Sequence, residues 1–354
     1  MRRLTFSECG DYKTRYAQEA ALFPNDVGRL ALGVLLIVWF LIVPAVAGPY
    51  LLTVANLTGI AVIGATGLNL LTGYTGQITM GHGAFMGVGA YTAAVLAARV
   101  HLPFWIAVPL AGLATAGVGA FFGIPSLRLK GLYLAIATLA AQFILEYVFL
   151  HWDWLTRGTS GYLVPPARLG AWSLRGERSF FWLIGASVVL ITWLHLNLLR
   201  TRMGRAFVAI RDNDRAAASI GIHLFGYKLL AFFLSAFMVG VAGALYAYYT
   251  GVVVPGKFTL DLSIDYLAMG IVGGLGTVLG PFYGAAVITV IPEALRALSQ
   301  ALSAVFPDLA AALNALRDVV FGAVIVAFLI FQPEGLADRW RVVRAYFKLW
   351  PYTY

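Results

Sequence analysis

The polar side chains best placed to contact a solute lie in one glycine-rich stretch, Gly67–Tyr91. Its polar members and the glycines beside them are Asn69, Gly73, Tyr74, Gly76, Gln77, Thr79 and His82. In an apolar environment, irregular backbone persists only where it is buried in protein or lines a wet cavity. The stretch therefore predicts a broken helix beside a path, with neutral polar groups offered to a passing solute.

The same glycines also suit close helix packing, because Gly83 and Gly87 form a GxxxG pair. We expect both roles in one segment, with Gly83–Ala93 packing against another helix and Tyr74–His82 approaching the path. For His82 two roles stay open, a bridge between helices and a contact with the solute.

A second glycine-rich segment, Gly270–Gly284, repeats the pattern with Gly276 and Gly280 spaced four apart. Pro281 follows, and proline is well tolerated in the first turn of a helix because its missing N–H has no partner there. We therefore expect a second helix break. The spacing does not match the GxGxxG of dinucleotide-binding folds, and no βαβ pattern surrounds it.

The sequence motifs that would indicate an enzyme are incomplete or missing. Gly251–Lys257 matches most of a phosphate-binding loop, but Phe258 replaces the Ser or Thr that would hold Mg²⁺. Asp212 and Asp214 lack the second acidic cluster that a magnesium-diphosphate site needs. The chain carries neither HExxH nor GxSxG and has a single cysteine. We therefore expect no catalytic residue, no metal site and no cofactor in this chain.

The elements that position these segments follow from composition. Of 354 residues, 60% are hydrophobic and 12% are charged, whereas soluble domains average about 45–50% and about 25%. A membrane span needs roughly 20 apolar residues. The sequence predicts an all-α polytopic membrane protein of about ten transmembrane helices with broken or re-entrant glycine-rich segments. The predicted spans are 28–47, 50–71, 82–100, 104–124, 131–150, 180–199, 226–250, 263–276, 281–299 and 317–332.

The net charge of +9 is explained by the orientation of the chain in the membrane. Seventeen of the 25 Lys and Arg residues fall in four segments, 1–29, 125–130, 200–228 and 333–354. The positive-inside rule places these segments in the cytoplasm, with both termini inside, and no nucleic-acid role is needed to explain them.

The predicted organisation has three parts. Residues 1–29 form a cytoplasmic segment, either an interfacial helix or a solvated tail, 30–332 the transmembrane domain, and 333–354 a cytoplasmic tail. Within the domain, 152–179 is the outer loop and 200–225 the large cytoplasmic loop.

The cytoplasmic loop continues to residue 228 and contains a short helical pattern. Asp212 or Asn213 can cap it, and Gly221 ends it. Three consecutive alanines give a smooth face, and the arginines around it are Arg202, Arg205, Arg211 and Arg215. Composition alone leaves two roles open, a docking site for an acidic partner and a basic loop that only sets topology.

Two further neutral polar residues, Thr138 and Gln142, lie among apolar residues of the fifth span. We expect them to join Asn69, Gln77 and Thr79 along a path that is sparse in charge. Glu146 lies near the outer end of the same span, where a carboxylate can reach water or a salt-bridge partner. We therefore expect a structural role for Glu146 rather than a role in proton transfer.

Six motifs occur in order over nearly the whole chain: GLNLLTGYTGQITMGHGAFMGVGAY, LRLKGLYLAIATLA, MGRAFVAIRDNDRAAASIGI, KLLAFFLSAFMVGVAGALY, GGLGTVLGPFYGA and FQPEGL. Together they resemble the M-type permease subunit of LIV (branched-chain amino-acid) ABC importers. The resemblance implies a bacterial inner-membrane complex of two related permease subunits in contact with membrane lipid, two cytoplasmic ATPases that bind ATP and Mg²⁺, and a periplasmic solute-binding protein.

The resemblance also implies that 204–222 is the coupling segment that docks on the ATPase. The matching positions are Gly204, Arg205, Arg211, Asp212, Asn213, Ala217 and Gly221. One departure is Thr156-Arg157-Gly158, where many relatives have Thr-Gly-Gly, and it puts the outer-loop turn and its docking role in question.

The solute stays open at this point. Systems of this type handle urea, short amides and aromatic acids as well as branched-chain amino acids, which are the leading expectation. A stand-alone channel or an ion-coupled carrier is the alternative from a different class.

Overall fold

The computed structural model describes residues 26–126, 129, 131–169, 172–173, 176–303, 319, 322–323, 325–328, 330–332 and 334–349. Its helices are α1 (Asp26–Ile37), α2 (Val43–Val46), α3 (Pro49–Leu68), α4 (His82–Ala98), α5 (Phe104–Ser126), α6 (Leu132–His151), α7 (Asp153–Thr156), α8 (Glu177–Arg200), α9 (Arg202–Asp212), α10 (Asp214–Ser219), α11 (Leu224–Thr250), α12 (Leu260–Gly273), α13 (Gly280–Ser303) and α14 (Leu336–Leu349). Two π-helical segments, Val38–Ile42 and Asn69–Tyr74, continue α1 and α3.

The described chain is almost entirely helical, as the composition predicts, and its strands are two residues long. On the side assigned to the outside, β1 (Tyr162–Leu163) pairs antiparallel with β4 (Val252–Val253). A second pair joins β2 (Arg168–Leu169) to β3 (Trp172–Ser173).

Five helices of the described part are long and apolar enough to cross a membrane: Pro49–Tyr74, Phe104–Pro125, Leu132–His151, Glu177–Arg200 and Leu224–Thr250. Two shorter apolar helices, Leu32–Val46 and His82–Ala98, add to them. A multi-pass membrane protein is confirmed, and the number ten is not. The predicted span 317–332 is described only in part, and the segment 1–25 lies outside the described residues.

Helix α11 lies at the centre of the bundle and packs against α3, α4 and α5. Its contacts with α4 are backbone to backbone. A Cβ added at Gly243 would lie 2.0 Å from the carbonyl oxygen of Met86, and one at Gly89 would lie 2.3 Å from that of Gly240. Small residues thus let these two helices approach more closely than side chains would permit.

The outer loop holds its turn with a non-glycine residue. Arg157 ends α7 at φ 59° and ψ 20°, in the left-handed region that glycine adopts most easily. Its guanidinium lies 4.9 Å from the centre of the Tyr162 ring, which is the geometry of a cation–π contact. The turn is therefore present although Arg157 replaces the glycine of Thr-Gly-Gly at 156–158. Arg157 adopts a strained backbone conformation there, and its side chain makes a stabilising contact with Tyr162.

The crossing of α4 and α11 makes a testable prediction. Gly243→Ala should lower the stability of the purified protein by about 1–3 kcal/mol, because the added methyl group would meet main chain that cannot rotate aside. Thermal unfolding in detergent measures the change. Gly117→Ala on the exposed side of α5 is the matched control, since a Cβ there meets nothing within 4 Å. Equal melting temperatures for both variants would contradict the close crossing.

Candidate functional site

Both glycine-rich segments break their helices. After the π-helical turn Asn69–Tyr74, the chain is irregular until α4 begins at His82. Likewise α12 ends at Gly273 and α13 begins at Gly280, which places Pro281 in its first turn. We call residues 69–81, the π-helical turn and the irregular chain after it, the first break and residues 274–279 the second break.

The two breaks are joined to each other through one buried side chain. Asn69 donates from Nδ2 to the carbonyl oxygen of Thr277 at 2.7 Å. Its Oδ1 accepts from the N–H of Gly276 at 2.8 Å. Asn69 thus satisfies one donor and one acceptor of main chain that no helix pairs. It is 207 residues away from Gly276 in sequence, so the contact fixes the two halves of the domain against each other.

The approach is so close that only glycine fits. A Cβ added at Gly73 would lie 2.4 Å from the backbone nitrogen of Gly276. Gly276 itself has φ +76°, a conformation that other residues rarely adopt. Of the predicted break glycines, Gly73 is therefore required by close contact and Gly276 by its backbone angle.

The first turn of α4 begins inside the bundle, where its free N–H groups need protein partners. The N–H of Gly83 donates to Ser263 Oγ at 2.7 Å, and that of Ala84 donates to Gln142 Oε1 at 2.7 Å. Gln142 also donates from Nε2 to the carbonyl oxygen of Phe258 at 2.8 Å. One amide therefore ties α6 to the start of α4 and to the segment before α12.

Glycine packing completes the same junction. A Cβ at Gly83 would lie 2.7 Å from the carbonyl oxygen of Thr259, and one at Gly87 would lie 2.6 Å from the Phe149 ring. The N–H of Met80 donates to Thr138 Oγ1 at 3.0 Å. The GxxxG pair therefore packs against the segment before α12 and against α6.

His82 bridges two helices. Ser235 on α11 donates its one proton to the carbonyl oxygen of Gly67 at 2.7 Å, so its oxygen accepts from His82 Nε2 at 3.3 Å. The assignment follows because a hydroxyl has a single hydrogen to give. The Nδ1 atom of His82 has no hydrogen-bond partner within the described residues. Of the two roles left open for His82, its present contacts are those of a bridge.

The seven residues predicted to line a path are all buried: Asn69, Tyr74, Gln77, Thr79, His82, Thr138 and Gln142. Tyr74 packs edge-on against the buried His195 ring, with centroids 5.4 Å apart. Gln77 donates to Thr75 Oγ1 at 3.0 Å, and Thr79 Oγ1 accepts from the N–H of Gly81 at 3.3 Å. Their role along a path stays a prediction, because in this structure their side chains are withdrawn from solvent.

Apolar side chains are instead exposed at the breaks. Ile78 is 40% exposed in the first break and Leu279 is 44% exposed in the second. Gly76 is also exposed. The exposed residues of the breaks are therefore Gly76 and the aliphatic Ile78, Leu275 and Leu279, which sequence reasoning missed because it weighed polar residues alone.

The cytoplasmic loop folds into α9 and α10. Thr201 caps α9 by accepting from the N–H of Met203 at 3.2 Å. Asn213, of the two candidates, caps α10 by accepting from the N–H groups of Arg215 and Ala216, each at 3.1 Å. Gly221 follows α10 with φ +88°. The predicted short helix is thus present with its predicted ends.

The predicted coupling residues divide into two groups. Arg202, Arg205, Arg211, Asp212, Asn213, Arg215 and Gly221 are exposed. Gly204 is buried, and a Cβ there would lie 2.3 Å from the carbonyl oxygen of Leu199. Ala217 is also buried, at 2% exposure, so its side chain faces this chain and is not available to a partner. The correction has a simple cause: of the three alanines, Ala216 and Ala218 face outward.

Sequence reasoning missed the most exposed apolar side chain of this loop. Ile220 is 74% exposed directly after α10, and Phe225 is 42% exposed at the start of α11. Single exposed apolar side chains are common on protein surfaces, so Ile220 is a candidate contact because it lies within the predicted coupling segment 204–222. The signal was present in the sequence as an isoleucine beside the glycine that ends the helix.

A cavity of about 360 Å³ separates this loop from the first break. Its lining includes Thr75, Gln77, Arg211, Asp214 and Lys228. Lys228 and Asp214, which both line it, pair at 3.7 Å. In the part of the chain that is described, no group of three or more His, Cys, Asp or Glu side chains could hold a metal ion.

Comparison with known proteins gives consistent matches. The sequence model of the family described as branched-chain amino acid transport system, permease component, matches residues 50–329. The chain is 33% identical over 330 residues to the high-affinity branched-chain amino acid transport system permease protein LivM of Escherichia coli, covering 85% of this chain and 74% of LivM.

More distant relatives include the corresponding LivH protein of Escherichia coli. The identity is 23% over 296 residues, or 78% of this chain and 90% of LivH. The autoinducer 2 import system permease protein LsrC of Klebsiella pneumoniae is 31% identical over 188 residues, or 50% of this chain and 52% of LsrC. No solved structure matches the chain.

The capping of α4 can be tested at Gln142. Gln142→Leu should destabilise the purified protein by about 2–5 kcal/mol, because it leaves the N–H of Ala84 and the carbonyl of Phe258 buried without partners. Thermal or chemical unfolding in detergent measures the loss. Phe143→Leu, on the neighbouring exposed position, is the matched control. A Gln142→Leu protein as stable as the control would contradict the capping role.

Proposed function

We propose, from the premise that this chain belongs to the family of permease components of branched-chain amino acid transport systems, that it is the M-type permease subunit of an ATP-driven importer. The observation that carries the mechanism is the junction of two helix breaks beside a cytoplasmic loop. Broken helices in the middle of a membrane domain are typical of transport pathways.

Its solute is a branched-chain or closely related amino acid. The support is the match to LivM over 85% of this chain. Urea, short amides and aromatic acids are the alternative classes of solute. LsrC, whose name assigns it to autoinducer 2 import, illustrates that relatives of this chain are named for different solutes.

The proposed complex contains this chain, a sister permease, two cytoplasmic ATPases and a periplasmic solute-binding protein. It lies in the lipid of a bacterial inner membrane with both termini of this chain in the cytoplasm. ATP and Mg²⁺ bind to the ATPases, and this chain performs no covalent step. Similarity to both LivM and LivH supports the pairing with a sister permease.

Transport proceeds by alternating access. The loaded binding protein docks on the outer loops, ATP closes the ATPase pair, and the loop formed by α9 and α10 passes that movement to the membrane domain. The solute passes between this chain and its sister along the two breaks. In this proposal, the exposed main chain at Gly76 and the exposed side chains of Ile78 and Leu279 face this path. The buried side chains of Asn69, Thr138 and Gln142 fix the main chain beside the path through hydrogen bonds.

A path of this composition suits its task. The binding protein supplies selectivity, so the permease needs no tight site of its own. Aliphatic groups and spare main-chain acceptors offer weak contacts to an amino acid with an apolar side chain, and weak binding permits rapid release.

The docking surface for the ATPase is formed by Ile220, Ala216, Ala218, Arg202, Arg205 and Arg215. Ile220 provides an apolar anchor, and the small alanines allow a close approach of the partner. The surrounding arginines suit an acidic rim on the ATPase, where charged pairs contribute more to orientation and association rate than to affinity.

Reconstitution tests the function as a whole. The complete complex in proteoliposomes should accumulate leucine only with ATP, Mg²⁺ and its binding protein present, and omission of the ATPases should abolish uptake. Competition by urea, acetamide and phenylalanine then identifies the solute class. Uptake of leucine by this chain alone, driven by an ion gradient, would contradict the proposal in favour of a carrier.

The docking surface makes a separate prediction. Ile220→Asp should reduce co-purification of the ATPases at least tenfold, because the aspartate replaces the central apolar anchor of the contact. The chain should keep its melting temperature, since Ile220 is exposed in the free protein.

Two matched variants accompany this test. Leu163→Asp, at an equally exposed apolar position on the outer side, should leave ATPase co-purification unchanged. Ala217→Glu should instead lower the melting temperature, because it forces a charge into a buried position. Normal ATPase binding by Ile220→Asp would show that the surface is placed wrongly.

A further inference from the structure

We infer that Arg211 is the positioning residue that ties the cytoplasmic loop to both helix breaks, so that the loop and the breaks move as one unit. The inference rests on the proposed function and deepens it. It also changes the place of Arg211, which sequence similarity grouped with the residues that dock on the ATPase. Arg211 is exposed at the surface, and its guanidinium also binds within this chain and links two parts of it.

The first contact is a hydrogen bond to the end of the π-helical turn. Arg211 lies in the last turn of α9, and its Nη1 donates to the carbonyl oxygen of Gly73 at 2.9 Å. Carbonyl groups at the end of a helix have no partner within the helix. A cationic donor makes the stronger, charge-assisted kind of hydrogen bond there and also opposes the negative end of the helix dipole.

The second contact is with the other break. A Cβ added at Gly276 would lie 2.4 Å from Arg211 Nη1. The guanidinium therefore lies directly against the main chain at Gly276, at the point where Asn69 also binds. Gly76 completes the contact, since a Cβ there would lie 3.6 Å from the Cα of Arg211. A single side chain thus touches the segments on either side of the break-to-break junction.

The helix that carries Arg211 is itself held firmly. Phe207 and Ile210 on α9 are buried, and the Phe207 ring packs edge-on against Tyr227 of α11. Lys228 on α11 pairs with Asp214, the first residue of α10. A force applied to the exposed face of α9 and α10 is therefore delivered to Gly73 and Gly276 through packed elements.

The chemistry favours arginine over lysine at this position. The planar guanidinium presents five N–H donors in a fixed fork and can bind a carbonyl while lying flat against a neighbouring glycine. A lysine ammonium is a compact, strongly hydrated charge on a flexible stem. We expect it to restore the bond to Gly73 in part and the contact with Gly276 poorly.

The functional test uses the complete reconstituted complex with Arg211→Ala, Arg211→Lys and the control Arg296→Ala. Arg296 is exposed on α13 and pairs with Glu293 on the same helix, away from the junction. The measured quantities are ATPase co-purification, ATP hydrolysis and leucine uptake. Arg211→Ala should bind the ATPases normally and hydrolyse ATP within twofold of wild type, yet lose uptake at least tenfold. Arg211→Lys should fall between, and Arg296→Ala should match wild type.

A second variant probes the same contact from its other side. In Gly276→Ala the added methyl group would displace the guanidinium, so it should also raise the number of ATP molecules hydrolysed per leucine transported. Combined with Arg211→Ala, it should add little further uncoupling, because both changes break one link. Multiplicative uncoupling in the double variant would contradict a shared link.

A measurement on the purified chain separates this inference from the proposed function. Hydrogen exchange in detergent should speed up in peptides covering both breaks in Arg211→Ala and in neither break in Arg296→Ala. Unchanged exchange in either break, loss of ATPase binding, or normally coupled uptake by Arg211→Ala would each overturn the inference. If the wild-type complex fails to import leucine with ATP while exchange responds as expected, the link stands and the proposed function is wrong.

Discussion

The structure depends on how it satisfies main-chain groups that two broken helices leave unpaired inside the bundle. Water is absent from the core of a bilayer, and each buried donor or acceptor without a partner costs about 1–3 kcal/mol or more. This chain meets the requirement with polar side chains from distant helices. Asn69 serves the second break, while Gln142 and Ser263 serve the first turn of α4. The breaks are therefore fixed in place by specific bonds, and an irregular main chain becomes a defined surface.

The same requirement connects architecture to transport. Because the polar side chains make internal contacts, the exposed residues of the breaks are Gly76, Ile78, Leu275 and Leu279. Such a surface binds a solute weakly, as a permease fed by a separate binding protein requires. The carbonyl oxygen of Gly73, at the end of the π-helical turn, accepts a hydrogen bond from Arg211. This bond extends the network from the membrane domain to the cytoplasmic loop. One network thus shapes the path and joins it to the loop on which the ATPase is proposed to act.

Much of this arrangement could be predicted from local sequence signals. Glycine clusters and Pro281 located the breaks, and Asp212 or Asn213, with Gly221, marked the ends of α10, because capping and left-handed angles depend on a few neighbouring residues. The partners of the polar residues could not be predicted, since Asn69 and Gly276 meet only after the helices assemble. Nor could the burial of Ala217, because the orientation of a six-residue helix is set by what it packs against. The exposed Ile220 was overlooked among the arginines around it.

The central claim is that both breaks and the cytoplasmic loop form one moving unit. It is tested most directly by cryo-electron microscopy of the assembled complex, nucleotide-free and with ATP bound. In both states Asn69 should stay within hydrogen-bond distance of Gly276, and Arg211 within hydrogen-bond distance of Gly73, so that the loop and both breaks move together. An ATP-bound structure in which the loop moves but either contact is broken, or in which only one break moves, would contradict it.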